Sequence, residues 1–147
     1  MIRKMQTTDT DRVAEIWLDT NLKAHDFIPP EYWKGNYDAV KEMISQAEVY
    51  VYIDEDKNQI QGFIGLDEDY IAGIFVWGEA QSRGIGRRLL DRAKEDRRKL
   101  TLNVYARNPG AVRFYQREGF RITEEDVDRD TGEAEYLMCW EQVHIDL

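Results

Sequence analysis

Apolar and polar residues repeat along this chain with two different periods, and the switches between them mark out its elements. After a short apolar start at residues 2–5, Val13, Ile16 and Trp17 fall on one face of a helix that Thr8 or Asp9 caps and that runs to about residue 23. Residues 24–28 form a linker, and Pro29-Pro30 opens a second helix in which Val40, Met43, Ile44 and Ala47 recur at helical spacing. The pattern then turns to strands: residues 49–53 and 60–66 make a hairpin around the polar turn 54–59, and a third strand follows over 71–77. Gly73 lies inside that strand, where a glycine marks a bulge or a close backbone contact against which a ligand can lie.

Helical spacing returns over residues 85–97, with Ile85, Leu89, Leu90 and Ala93 on one side and charges elsewhere, so this helix packs on a sheet. Residues 100–105 read as the next strand. The order strand, helix, strand makes it parallel to 71–77 through a right-handed crossover. Asn108-Pro109 starts a short helix carrying Ala111, Phe114 and Tyr115 and ending at Gly119. Residues 120–127 and 134–141 then form a hairpin around Asp130-Thr131-Gly132. The predicted class is α/β with a mixed sheet. With no Pro/Gly/Ser-rich linker and no internal repeat, residues 1–147 are expected to form a single domain.

The most specific local feature is the run Gln81-Ser82-Arg83-Gly84-Ile85-Gly86, set between a strand and a helix. At such a junction the unpaired N–H groups of the first helical turn and the helix dipole converge on one point, which suits a phosphate. Glycines let the backbone approach the ligand, and Arg83, Arg87 and Arg88 add positive charge. A dinucleotide fingerprint is excluded because Leu89 stands where its third glycine belongs, and no Lys-Ser/Thr pair follows to make a Walker loop. For these six residues alone, an ordinary turn explains the glycines equally well.

Composition narrows the classes further. A net charge of −9 disfavours a general nucleic-acid surface, which needs clustered Lys and Arg. The single cysteine, Cys139, excludes an internal disulfide framework and a multi-cysteine metal site, and reads as core. The N-terminal residues lack an apolar signal core and no run approaches the roughly 18 apolar residues of a membrane helix, so a cytoplasmic protein without membrane or metal partners is expected.

The element order, with the glycine turn entering the third helix, resembles the GNAT family of N-acetyltransferases over about residues 2–142. The family's acetyl-CoA signature, Gln/Arg-x-x-Gly-x-Gly/Ala, is matched by Gln81, Gly84 and Gly86. A second block is matched by Asn108, Ala111, Phe114, Tyr115, Gly119 and Phe120. Among such proteins the chain is similar to small bacterial enzymes with His-x-Phe-Ile/Leu between the first two helices, here His25-Asp26-Phe27-Ile28, some of them protein lysine acetyltransferases. The resemblance implies a mostly antiparallel seven-stranded sheet with one parallel pair and about four helices, and acetyl-CoA as acetyl donor. It implies that N–H groups from Gln81 to Arg87, Ile85 among them, hold the pyrophosphate, with Arg83 nearby. The pantetheine arm would run along Phe75 and Val76 where the parallel strands splay, with Gly73 helping to open the gap. Asn108 would bond the arm and Tyr115 would protonate the departing thiolate.

Acyl transfer from a thioester to an amine needs a neutral nucleophile, a stabilised oxyanion and a protonated leaving sulfur. A thiol pKa of about 8.5 lies within reach of a phenol donor, and a backbone N–H near Val76 can serve the oxyanion. A lysine acceptor, with a pKa of about 10.4, must also lose a proton. Glu68 is the first candidate for that base, with Asp67, Asp69 and Tyr70 as rivals; an exposed turn equally explains these acids. His25 lies in the loop that in this fold flanks the acceptor, with Phe27, Ile28, Tyr32 and Trp33 as walls of the groove. Cys139 has no basic neighbour in sequence, so direct attack is expected rather than an acetyl-cysteine intermediate. The acceptor is expected to be a primary amine, of a protein lysine or N-terminus or of a small molecule such as a polyamine, amino acid or antibiotic, on a monomer or homodimer. A CoA-binding sensor without turnover is the alternative from another class.

Overall fold

The computed structural model describes residues 1–143. A seven-stranded sheet runs through it in the order β1-β2-β3-β4-β5-β7-β6, built from β1 (Ile2–Lys4), β2 (Glu48–Asp54), β3 (Gln59–Asp67), β4 (Tyr70–Val76), β5 (Lys99–Tyr105), β6 (Arg121–Val127) and β7 (Ala134–Glu141). Every neighbouring pair is antiparallel except β4 and β5. The helices are α1 (Thr10–Ala24), α2 (Pro30–Gly35), α3 (Tyr37–Gln46), α4 (Ile85–Glu95) and α5 (Pro109–Arg117).

Strand alternation sends side chains to two faces, and each face has its own core. On one, Leu100, Leu102 and Met138 of the sheet meet Leu89, Leu90 and Ala93 of α4. Each such large apolar side chain, once buried, contributes about 1.5–3 kcal/mol. On the other, Val49, Val51 and Phe63 meet Val13, Ala14 and Ile16 of α1 and Ile44 of α3. The helical spacing of the apolar residues in α1 and α4 therefore reports which side of each helix packs on the sheet.

Two local departures from the expected pattern have clear causes. The helix expected after Pro29 divides at Asn36, whose side-chain Nδ2 donates to the Tyr32 carbonyl at 2.6 Å, in place of the main-chain bond that would continue the helix. At the N-terminus of α1, Asp9 does not cap with its side chain. Its carboxylate accepts from Arg3 and from the Gln6 N–H, both at 2.7 Å, after a short 3₁₀ turn over Thr7–Asp9.

The feature that positions the site is the parting of β4 from β5. They pair only at Tyr70 with Thr101 and Ile71 with Leu102. At the next residue, Ala72, the register of β4 against β3 shifts: Leu66 faces Ile71, but Gly65 faces Gly73, so Ala72 is an extra residue. Beyond this bulge β4 stays paired with β3 as far as Val76 but no longer pairs with β5. Gly73 sits directly beside this bulge and makes a close contact of its own. The ring of Phe75 lies where a Gly73 Cβ would be, so the glycine admits that ring, which packs against Phe63 with centroids 5.0 Å apart.

Candidate active site

Where β4 and β5 separate, a cleft opens on the α4 face. Its volume is about 700 Å³, and Val76, Gln81, Gly84, Gly86, Arg87 and Tyr115 are among its walls. The loop into α4 is tightly shaped. Ser82 and Gly84 both have left-handed backbone, at φ +67° and +78°, and the Gln81 side chain donates to the Val76 carbonyl at 3.1 Å, tying the loop to the end of β4. The first intrahelical bond of α4 runs from Arg88 N–H to the Gly84 carbonyl at 3.1 Å, which leaves the N–H groups of Ile85, Gly86 and Arg87 without helical acceptors at the cleft.

The two glycines of this turn are needed for different reasons. Gly84 has open space where a Cβ would go but a positive φ, so its requirement is conformational. Gly86 is helical, and a Cβ there would sit in ordinary contact with the Phe114 ring at 3.5 Å, so the fold itself does not demand glycine. The arginines also differ. Arg83 is exposed, and Arg87 stands at the cleft, held loosely by Glu118 at 3.6 Å. Arg88 turns away to the Tyr52 hydroxyl at 3.1 Å, so it does not add charge to the turn as expected.

On the opposite face lies a smaller pocket of about 250 Å³, whose walls include Trp17, His25, Trp33, Tyr105, Glu135 and Tyr115. Tyr115, Ala111 and Ile74 border both this pocket and the α4-face cleft, so the two meet through the sheet. Tyr115 is otherwise a core residue, packed edge-on against Phe114 and Phe120. Burial, reinforced by nearby Tyr70, pushes its phenol pKa far up, so the hydroxyl keeps its proton throughout the working pH range.

Asn108 and His25 come together in a way their sequence positions, 83 residues apart, did not show. Asn108 Oδ1 accepts from the Ala111 N–H at 3.2 Å, capping α5, and its amide lies 3.2 Å from His25 Nε2. His25 Nδ1 lies 2.9 Å from Asn21 Oδ1, and Asn21 Nδ2 donates to the Trp17 carbonyl at 2.9 Å. The chain is consistent with one tautomer only, with Asn108 donating to Nε2 and Nδ1–H donating to Asn21. Burial depresses the His25 pKa, which favours that neutral form. Trp33 stacks on His25 with centroids 5.6 Å apart, and Phe27 meets it edge-on at the same distance. Ile28 is buried behind them.

Glu68 is placed apart from these residues. It occupies an exposed, left-handed position, φ +53°, in the tight turn between β3 and β4, where its carbonyl accepts from Arg97 Nε at 2.9 Å. It borders a third, open groove of about 690 Å³ with Asp67, Tyr70, Met43 and Phe75, which adjoins the Tyr115 pocket at Trp17, Ala72, Gly73 and Phe75. Cys139 is buried in β7. Sequence reasoning missed Trp17, Asn103, Tyr105 and Glu135 as pocket residues. The signal for Asn103 was present, a polar side chain alternating with buried Leu100, Leu102 and Val104. For Glu135 it was absent, because the pairing of β7 with β5 is not local.

The acetyltransferase (GNAT) domain model matches residues 22–133. The chain is 30% identical to the peptidyl-lysine N-acetyltransferase YiaC of Escherichia coli K12, over 95% of this chain and 96% of that one. It is 29% identical to the peptidyl-lysine N-acetyltransferase YjaB of the same organism, over 93% and 92%. The apo solution structure of YjaB aligns with a TM-score of 0.85 at 26% identity, over 97% and 98% of the two chains. A Bacillus anthracis structure in complex with acetyl coenzyme A aligns with a TM-score of 0.58 at 26% identity, over 65% and 62%.

Proposed function

From the premise that this chain belongs to the GNAT acetyltransferase family and is an N-acetyltransferase, we propose that it transfers acetyl from acetyl-CoA directly to the side-chain amine of a protein lysine. The observation that carries this reading is Tyr115, which borders a cleft on one face of the sheet and a pocket on the other. Donor and acceptor can then approach from opposite sides and react where they meet. In the cleft, the N–H groups of Ile85, Gly86 and Arg87 would hold the CoA pyrophosphate, with Arg87 and Arg83 adding charge. The pantetheine arm would pass Val76 and Phe75 into the gap beyond the bulge. Asn108 would act less on the arm than on His25 and the start of α5, since its side-chain oxygen and nitrogen are engaged there.

The chemistry follows from the protonation states. Attack on the thioester leaves a thiolate, and the Tyr115 phenol, kept neutral by burial, can donate to that sulfur but cannot act as a base. His25 and Trp33 would wall the acceptor pocket without exchanging protons. Phe27 and Ile28 would support them from behind. The peptidyl-lysine activity of the relatives YiaC and YjaB supports a protein acceptor. So does the open, largely apolar groove beside the pocket, which suits a polypeptide flanking its lysine.

The test is CoA release, followed with a thiol reagent, for wild type and Tyr115→Phe against a lysine peptide blocked at both ends, spermidine, amino acids and an aminoglycoside. The reading expects the peptide to be turned over by wild type and sharply less by the variant. Turnover of a small amine in preference to the peptide would reassign the acceptor. Tight acetyl-CoA binding without turnover of any amine would favour a CoA sensor.

A further inference from the structure

Two carboxylates neighbouring the Tyr115 pocket are engaged with other groups. Asp128 accepts from the Tyr105 hydroxyl at 2.7 Å. Glu133 pairs with Arg107 at 3.0 Å. Among the described residues Glu135 is the one carboxylate that borders that pocket, and it makes no side-chain hydrogen bond or ion pair there.

Its direction is set by the strand. Tyr136 and Met138 of β7 pack into the α4-face core, so Glu135 projects to the opposite face, as does its β5 partner Tyr105. β7 is held by β5 on one side and β6 on the other, which gives Glu135 a rigid platform. The surroundings are acidic. Burial first, then the charges of Asp128 and Asp126, raise the pKa of Glu135. The Glu135 charge is felt by Tyr70, whose hydroxyl donates to Asn103 at 2.8 Å, and Tyr70 in turn is felt by Tyr115. A half-buried carboxylate among like charges is poorly stabilised alone and well stabilised by an arriving cation.

We propose that Glu135 receives the acceptor's primary ammonium in the Tyr115 pocket and takes its first proton. This rests on the acetyltransferase reading above and names the base for it. The proton passes from nitrogen to a Glu135 carboxylate oxygen, freeing the lone pair. The nitrogen bonds to the thioester carbonyl carbon, the C–S bond breaks, and the sulfur takes the Tyr115 proton. The second amine proton restores the phenol by way of water. One proton, from Glu135, is released to solvent per acetyl group moved. The competing bases are worse placed: His25 has both ring nitrogens engaged, and Glu68 lies in the exposed turn bordering the neighbouring groove.

The test compares wild type with Glu135→Gln, using the doubly blocked lysine peptide. Loss of a general base costs about 10²–10⁴-fold in rate, so kcat/KM for the peptide should fall by about a hundredfold or more while the KM for acetyl-CoA is unchanged. The pH profile separates chemistry from structure. In wild type, kcat/KM for the peptide should rise along a carboxylate limb and level off near neutrality. In Glu135→Gln it should climb steadily toward the lysine pKa, because only free amine can react. The other ionisable groups around Glu135, namely Asp126, Asp128, Tyr105, Tyr70, Tyr115 and His25, are the same in both proteins. An unchanged peptide kcat/KM with a superimposable profile would overturn the assignment. Should turnover be too slow, the same peptide is titrated into CoA-saturated protein by calorimetry. At least tenfold weaker binding to the variant supports the proposal; equal binding, or none to either protein, overturns it. Thermal stabilisation of both proteins by acetyl-CoA shows that the fold and donor site are intact, whereas no stabilisation of wild type removes the underlying acetyltransferase reading.

Discussion

The two sides of the gap between β4 and β5 are built on different principles. On the α4 face, the N–H groups free at the cleft are main-chain groups of one helix start, those of the consecutive residues Ile85, Gly86 and Arg87. On the opposite face the groups are side chains from separate elements, among them Trp17, Asn21 and His25 along the second half of α1 and at its end, Trp33 on α2, Tyr105 on β5, Glu135 on β7 and Tyr115 on α5. The first side is local and basic, the second non-local and acidic. Under the proposed function, a donor site made of backbone would suit a ligand shared by a whole family, while an acceptor site made of side chains would change its substrate one residue at a time.

The comparison breaks most completely if the α4-face cleft is blocked. Gly86→Glu places a bulky negative side chain at the helix start, and the stabilisation of about 2.7 kcal/mol expected from acetyl-CoA at 100 times its dissociation constant should vanish in a melting experiment. A normal shift in that variant would put the donor elsewhere. At the junction of the two sides, Tyr115→Phe should lower kcat by about a hundredfold or more with acetyl-CoA affinity kept, because only the proton donor is lost. Equal turnover numbers for the two proteins would remove Tyr115 from the chemistry.

Smaller substitutions sharpen the contrast within the glycine turn. Gly84→Ala forces a side chain into left-handed backbone and should cost about 1–2 kcal/mol in chemical denaturation. Gly86→Ala, at a helical position with room for a Cβ, should cost no more than about 0.5 kcal/mol. The reverse order would contradict the conformational account of the turn. The smallest effect is expected on the acceptor side from His25. Its pKa is depressed in the folded protein, so the unfolded chain binds the extra proton first. Its contribution to stability is therefore full above the ordinary value of 6.5 and lost progressively as the pH falls below it. His25→Gln should flatten the melting temperature between pH 5 and 7 relative to wild type, and an identical slope would show that His25 does not titrate there.

The same division decided what the sequence could tell. Helical and strand periods placed the elements, and the order of strand, glycine turn and helix pointed to the α4-face cleft, because each signal lies within one contiguous stretch of chain. The break at Asn36 escaped because it depends on a side chain returning to the Tyr32 carbonyl. Arg88 escaped because its partner, Tyr52, is brought close only by packing α4 on the sheet. On the opposite face, the link from Asn108 to His25 and the cross-strand pair Tyr105 and Glu135 join residues 83 and 30 positions apart. No local pattern announces them. Glu68 was favoured as base from its place between two strands, and that same place makes it an exposed turn residue.

The central claim is that donor and acceptor meet at Tyr115 from opposite faces of the sheet. A crystal structure with bound CoA tests it most directly. The account predicts the pyrophosphate at the start of α4, the pantetheine arm passing between β4 and β5 beyond the Ala72 bulge, and the sulfur within about 3.5 Å of the Tyr115 hydroxyl. A CoA arm that stays outside the gap, or that enters from the face bearing Glu135, would contradict it.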